Sequence, residues 1–268
     1  MSLQQKKAAL LARIADLKSV LVAFSGGVDS TLLLKLCHDV LKNRVVAVTA
    51  TSALQPGHEN EAALQTARDL GIRHIRIQSK ILEEAVFFKN SDQRCYHCKR
   101  HLFEKLQMMA GELKLEYVAH GANADDLSDY RPGFRAAEEL GVVAPLLEAG
   151  LGKAEIRQLS KELNLSTWDK PAMACLATRI PYGTELTPER LQQADAAEAV
   201  IAAQGFRSCR VRCHGPIARI EVPPPEIERF LDPDFRNNLV AELKAIGFKH
   251  VALDLEGYAM GSMNEVRD

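Results

Sequence analysis

The stretch Val20-Leu21-Val22-Ala23-Phe24-Ser25-Gly26-Gly27-Val28-Asp29-Ser30-Thr31 constrains this chain more than any other. Val20 to Phe24 is a short apolar run rich in β-branched residues, the pattern of a strand buried on both faces. Thr31-Leu32-Leu33-Leu34-Lys35-Leu36 then opens a helical run. The two glycines between them permit positive φ and close approach of a ligand to the backbone. The N-terminus of the following helix offers unpaired N–H groups and a partial positive charge, so the loop is suited to an anion such as phosphate. Ser25 and Ser30 add hydroxyl donors, and Asp29 is placed to hold a metal ion or to orient the serines. The bland alternative is a tight turn with Asp29 or Ser30 as an ordinary N-cap.

No Gly-Lys-Ser/Thr follows, so this is not a Walker A loop, and the Gly-x-Gly-x-x-Gly of dinucleotide folds is missing as well. Ser-Gly-Gly-Val-Asp-Ser in a strand–loop–helix context resembles the pyrophosphate (PP) loop of ATP pyrophosphatases. That resemblance implies cleavage of ATP to AMP and pyrophosphate, with the loop holding the pyrophosphate.

Downstream the pattern repeats. Strands are expected at 44–51, 73–78, 116–120 and 142–147, and helices at 58–71, 81–88, 96–113 and 153–163. Alternation of this kind predicts βαβ units, hence an α/β fold with a doubly wound parallel sheet. Ligands of such sheets bind at the carboxyl ends of the strands. That rim would gather the Ser25–Ser30 loop, Ser52 after the second strand, and the loop Gly121–Gly133. In the last of these, Asp125, Asp126, Asp129 and Arg131 could bind Mg²⁺ and phosphate; a solvated turn is the alternative. Residues 164–187 have little regular pattern, and such a loop in a compact protein is usually functional. Helix 187–204, strands at 208–213, 217–222 and 250–255, and helices at 224–230 and 234–246 make a small α+β unit. The expected domains are therefore 1–186 and 187–268.

The chain has 268 residues, 47% of them apolar and 26% charged, enough for a full core. A net charge of −1 argues against a nucleic-acid partner. No apolar run approaches a membrane span and residues 1–19 read as an amphipathic helix rather than a signal peptide, so a cytoplasmic protein is expected. Its six cysteines are then reduced by default and invite a metal or catalytic reading. Cys95-Tyr96-His97-Cys98 fits a zinc site, a redox pair or an iron–sulfur cluster. The pair is not expected to open a helix directly after a strand, which weakens the redox reading. Structural zinc would need further ligands, for which Cys209, Cys213 and His214 are candidates; both cysteines are equally compatible with packing as small hydrophobes, as Cys37 is in its apolar helix. Cys175 stands in the long loop near Arg179, where positive charge favours a reactive thiolate.

The PP-loop, Cys95-x-x-Cys98, Asp129-Tyr130-Arg131-Pro132-Gly133, Ala174-Cys175-Leu176-Ala177-x-Arg179-Ile180-Pro181-Tyr182-Gly183 and Gly261-Ser262-Met263-Asn264-Glu265 occur in that order. Together they resemble the LarE family, ATP-dependent sulfur transferases of nickel-pincer cofactor biosynthesis, over nearly the whole chain. The resemblance implies a substrate, pyridinium-3,5-biscarboxylic acid mononucleotide, whose carboxylates become thiocarboxylates. It implies ATP and Mg²⁺ as cofactors and a homo-oligomer. Members with the additional C-x-x-C carry a [4Fe–4S] cluster, which implies Cys95, Cys98 and Cys175 as ligands; members with only the loop cysteine sacrifice its sulfur. Asp29, Cys175 and Arg179 are the implied catalytic residues. Arg210 and Arg212 alternate on a strand and so share a face, a pair able to grip the substrate phosphate. Three other readings compete: a tRNA thiolase, which would need a basic face, an ammonia-using synthetase, which would need no cysteine cluster, and a nucleotide-binding module with structural zinc.

Overall fold

The computed structural model describes residues 1–128, 132–171 and 174–259. In chain order its elements are α1 (Leu3–Asp16), β1 (Val20–Ala23), α2 (Val28–Leu41), β2 (Val45–Thr51), α3 (Gly57–Asp69), β3 (His74–Gln78), α4 (Ala85–Phe88) and α5 (Arg94–Glu112). There follow β4 (Tyr117–His120), α6 (Pro132–Glu139), α7 (Pro145–Glu148), α8 (Lys153–Glu162), α9 (Pro188–Ala203), β5 (Arg210–His214), β6 (Ile217–Glu221), α10 (Pro233–Ala245) and β7 (His250–Leu253).

Two compact units emerge. The first comprises residues 1–52, 57–81 and 92–172, the second 53–56, 82–91 and 173–268. The first is built on a four-stranded parallel sheet of order β3-β2-β1-β4. Alternation along β1 assigns its side chains to two layers. Val20 and Val22 join Leu10 and Ile14 of α1, Leu33 of α2 and Ile156 of α8 on one face. Leu21 turns the other way, onto Val46 and Val48 of β2 and Phe103 and Leu106 of α5. Helices therefore cover both faces, the α/β arrangement expected from the strand–helix alternation.

The fifth strand expected at 142–147 does not form. Val143 makes a single parallel bridge to Ala119, receiving the His120 N–H at 3.0 Å and donating to Val118. Pro145 then starts α7, because proline has no N–H to extend a ladder and its fixed φ suits the first position of a helix.

The second unit holds the three-stranded sheet β5-β6-β7, with β5 antiparallel and β7 parallel to β6. The segment at Pro224–Leu231, expected to be α-helical, is a 3₁₀ stretch entered from Pro223, where consecutive prolines supply no N–H groups for i→i−4 bonding. Helix α9 starts as its sequence predicts, with Thr187 Oγ accepting from Arg190 N–H and Pro188 in the first turn. Among the described residues no helix is long and apolar enough to cross a membrane.

Candidate functional site

The loop between β1 and α2 is shaped by its two serines and two glycines. Ser25 Oγ lies 3.0 Å from Ser30 Oγ and accepts the Gly27 N–H, while Ser30 Oγ reaches Gly27 O at 3.2 Å. Gly26 has φ +73°, a left-handed conformation, and a Cβ on it would lie 2.9 Å from Ala63 Cβ in α3. Gly27 is the N-cap of α2 and brings no side chain to cap its first-turn N–H groups, which leaves donors suited to a ligand. Gly121, at the end of β4, is held equally close: a Cβ there would meet Ser30 N at 2.9 Å.

Two lysines that the sequence pattern does not single out lie beside this loop. Lys170 Nζ donates to Gly26 O at 3.1 Å and to Glu59 Oε2 at 2.6 Å. Lys153, the first residue of α8, pairs with Asp29. One helix organises both, since Arg157 of α8 donates to the carbonyls of Trp168 and Lys170. Asp29 Oδ1 is buried and has no hydrogen-bond partner among the described residues, which suits a carboxylate oxygen that receives a cation.

Ser52 follows β2 in a half-buried position. Asp126 Oδ2 accepts from Asn123 N–H, and Asn123 Oδ1 accepts from Asp125 N–H, so the start of the Gly121–Gly133 loop is a tight reciprocal turn. Asp125 reaches across to accept the Lys153 N–H at 2.7 Å. Asp129 and Arg131 lie outside the described residues, as does the segment Gly261–Glu265.

Cys95 lies in the first turn of α5 and Cys98 at the start of the second, Cys95 exposed and Cys98 half-buried. The helix begins two residues earlier than its sequence suggests, so the pair does open a helix, entered from the turn after α4 rather than directly from a strand. Spaced by three, the two thiols share one helix face. Tyr96 between them bonds Glu139 of α6 at 2.6 Å and has the Arg135 guanidinium 4.2 Å from its ring centre.

In the second unit Cys175 is exposed and caps a 3₁₀ turn at Leu176–Arg179. Arg179 is fully buried beneath it. Its guanidinium donates to Ala174 O at 2.9 Å and Cys175 O at 3.2 Å, and forms a fork on Glu198 of α9 with both bonds at 2.8 Å. Burial opposes the charge, but the Glu198 pairing outweighs it and holds the pKa of Arg179 above the usual arginine value. Asn90, buried and at φ +53°, donates to Pro181 O at 2.8 Å and Thr184 O at 2.9 Å, fixing the turn that follows.

Arg210 and Arg212 are both buried. Arg212 forms a fork on Glu221 and donates to Thr178 O. Arg210 donates to Cys209 O and lies 5.0 Å from the Tyr258 ring centre; burial first, then the neighbouring Arg179, pushes its pKa down. The carboxylates Glu198 and Glu221 were missed in the sequence, although the short hairpin at His214-Gly215-Pro216 puts Glu221 opposite Arg210 and was itself legible. Cys37, Cys209 and Cys213 are buried thiols, each pushed up to about 12 by desolvation. They pack as small apolar side chains rather than as metal ligands. Among the described residues no three His, Cys, Asp or Glu side chains gather as a metal-holding group.

Residues 8–111 match the NAD synthase family. A pyridinium-3,5-bisthiocarboxylic acid mononucleotide synthase of Lactiplantibacillus plantarum is 38% identical over 98% of this chain and 95% of its own length. An uncharacterised protein of Synechocystis is 43% identical over 94% of each chain. An uncharacterised protein of Methanocaldococcus jannaschii is 29% identical over 90% of this chain and 91% of its own.

Proposed function

The chain belongs to the LarE family of ATP-dependent sulfur-transfer enzymes, and on that premise we propose that it adenylylates the carboxylates of pyridinium-3,5-biscarboxylic acid mononucleotide and converts them to thiocarboxylates. The observation that carries this reading is the Ser25–Ser30 loop, with its bare α2 N-terminus flanked by Lys153 and Lys170. A carboxylate is a poor electrophile, because its oxygens repel a nucleophile and neither of them leaves. Attack of a carboxylate oxygen on the α-phosphorus of ATP releases pyrophosphate, whose charge the loop amides, the serine hydroxyls and the lysines stabilise. A sulfide-level nucleophile, free sulfide or the Cys175 thiolate, then attacks the acyl carbon, the acyl–oxygen bond breaks and AMP departs.

Mg²⁺ fits Asp29, whose buried Oδ1 is without a donor among the described residues; bound there it would neutralise phosphate charge. The thiols Cys95, Cys98 and Cys175 suit a [4Fe–4S] cluster as a donor set, being the three cysteines that are not buried. Such a cluster would supply an iron without a protein ligand to carry sulfide. Arg179 holds the Ala174 and Cys175 carbonyls, so its part is to fix the backbone that presents the Cys175 thiol. Arg210 and Arg212 contribute positive charge for the substrate phosphate, and Ser52, Asp126, Asp129 and Arg131 complete the nucleotide and metal contacts. A cytoplasmic homo-oligomer is part of the same proposal.

The test is a single turnover with ATP, Mg²⁺ and the pyridinium dicarboxylate, followed by mass spectrometry of both product and protein. Pyrophosphate release that depends on the acid, with thiocarboxylate formed and protein mass unchanged, is expected. Loss of the elements of H₂S from Cys175 would instead assign the sulfur to that residue. Absence of acid-dependent pyrophosphate release would refute the function.

A further inference from the structure

We propose that Tyr258 is a positioning residue for Arg210, holding its guanidinium in the orientation that receives the phosphate of the mononucleotide. The inference rests on the phosphate reading of the two strand arginines and separates their parts. Arg212 is committed to the protein: Nε and Nη2 donate to Glu221, and Nη1 donates to Thr178 O at 2.9 Å. Arg210 is held in another way. Its Nη1 donates to Cys209 O at 2.7 Å, and its guanidinium carbon lies over the Tyr258 ring, 5.0 Å from the centre. A contact through the ring face attracts the cation but consumes none of its N–H donors. Guanidinium recognises phosphate through those same in-plane donors. A ring is therefore a support that fixes the group without competing with an anion for them.

Tyr258 is built into its place. Asp254 N–H donates to Ile220 O at 2.9 Å and Tyr258 N–H to Val222 O at 2.8 Å, so the chain after β7 leaves this edge for residues 255–257 and then returns to it. Asp254 Oδ1 accepts the Glu256 N–H at 3.0 Å. Gly257 closes the turn at φ +76°, so near to the strand end that a Cβ on it would lie 2.8 Å from Val222 O. The Tyr258 backbone is thereby pinned, and its side chain is half-buried. Burial and then Arg179 work against the Arg210 charge, and Tyr258 heads the neighbours that favour it. Beyond burial and Glu198, Arg179 has Cys175 and Tyr258 as its charged or polar neighbours. One ring thus serves two arginines, one of which lies beneath Cys175. Arg179 repels Arg210 and would turn its guanidinium away; the ring holds it without adding negative charge that would repel a phosphate.

The experiment is calorimetric titration of the full chain, without ATP, with pyridinium-3,5-biscarboxylic acid mononucleotide and with the same nucleoside lacking the phosphate. Tyr258→Leu is expected to weaken mononucleotide binding about tenfold, the worth of a desolvated cation–π contact, and to leave nucleoside binding unchanged. Tyr258→Phe keeps the ring and should stay within about twofold of wild type for both ligands. In the Arg210→Met background Tyr258→Leu should cost nothing further, because the two changes act through one pair. Tyr258→Met repeats the measurement should urea melts show Tyr258→Leu destabilised. Equal weakening of both ligands by Tyr258→Leu, an equal loss in the absence of Arg210, or wild-type affinity in Tyr258→Leu overturns the assignment. An undiminished preference for the phosphate-bearing ligand in Arg210→Met would instead strike the phosphate reading of Arg210, on which this one stands.

Discussion

A single methyl group placed on Gly26 tests the geometry on which the loop depends. Gly26 sits at φ +73°, where an L-residue pays about 1–2 kcal/mol. The new Cβ would also stand 2.9 Å from Ala63 Cβ and 3.1 Å from its Cα, an overpacking of the kind that costs about 1–3 kcal/mol. Gly26→Ala should therefore lose about 2–5 kcal/mol, a fall in melting temperature on the order of 10 °C for a chain of this size. Gly27→Ala is the control. Its φ is −81°, its Cβ would find only Ser25 Oγ at 3.5 Å, and the loss should stay below about 1 kcal/mol. Ala63→Gly removes the methyl that Gly26→Ala strikes, so in that background the substitution should cost at least about 1 kcal/mol less. Calorimetric melts of the four proteins of this cycle, with the control, suffice. The reasoning is refuted if Gly26→Ala melts within about 2 °C of wild type, or if Ala63→Gly gives no relief.

The remaining predictions use the buried ionisable groups. His120 is buried, and desolvation first, with Lys99 second, lowers its pKa to about 3. It stays neutral in the fold while the unfolded chain takes up a proton near pH 6.5, so it removes stability as pH falls from about 6.5 toward 3, roughly 2 kcal/mol by pH 5. Chemical denaturation at pH 7 and pH 5 should show a smaller difference for His120→Gln than for wild type; an unchanged difference would exclude this source. In cluster-free protein at pH 8 iodoacetamide should label Cys95, Cys98 and Cys175, while Cys37, Cys209 and Cys213, pushed up to about 12, stay unmodified in the folded protein. Peptide mass mapping decides this, and rapid labelling of Cys209 or Cys213 would count against their burial. Arg179→Met leaves Glu198 without its fork and should cost about 3–5 kcal/mol in urea, with Arg179→Met/Glu198→Met recovering much of that loss. Equal loss in the single and double variants would show that the pair is not the source.

The loop and its flanking elements were legible because every cue was local: an apolar β-branched run, two glycines, then a helical period. The α/β class followed from repetition of that cue. Val142-Val143-Ala144 resembled a strand for the same reason, yet one proline two residues after Val143 converts the run into a bridge and a helical turn. What was not legible comes from partners far apart in sequence. Lys153 meets Asp29 across 124 positions and Lys170 meets Gly26 across 144, and no periodicity announces such pairs. Glu198 is similar, since on a helix rich in alanine and polar residues a glutamate reads as solvated. Only its fork with Arg179 and its acceptance of the Val211 N–H reveal an inward role.

The clamp made by Asn90 has a consequence for how this protein can be divided. The turn it fixes, at Pro181–Thr184, belongs to the same unit as Cys175, yet Asn90 itself comes from a segment of ten residues inserted between stretches of the other unit. An excised fragment starting at residue 173 would therefore leave behind the amide that closes its own turn, and with it the Phe88 carbonyl that receives the Leu186 N–H. The two units are not modules on a string. Recombination at a single junction would not transplant the Cys175 segment in its present shape, and translation must reach the later half before the earlier insertion finds its hydrogen-bond acceptors.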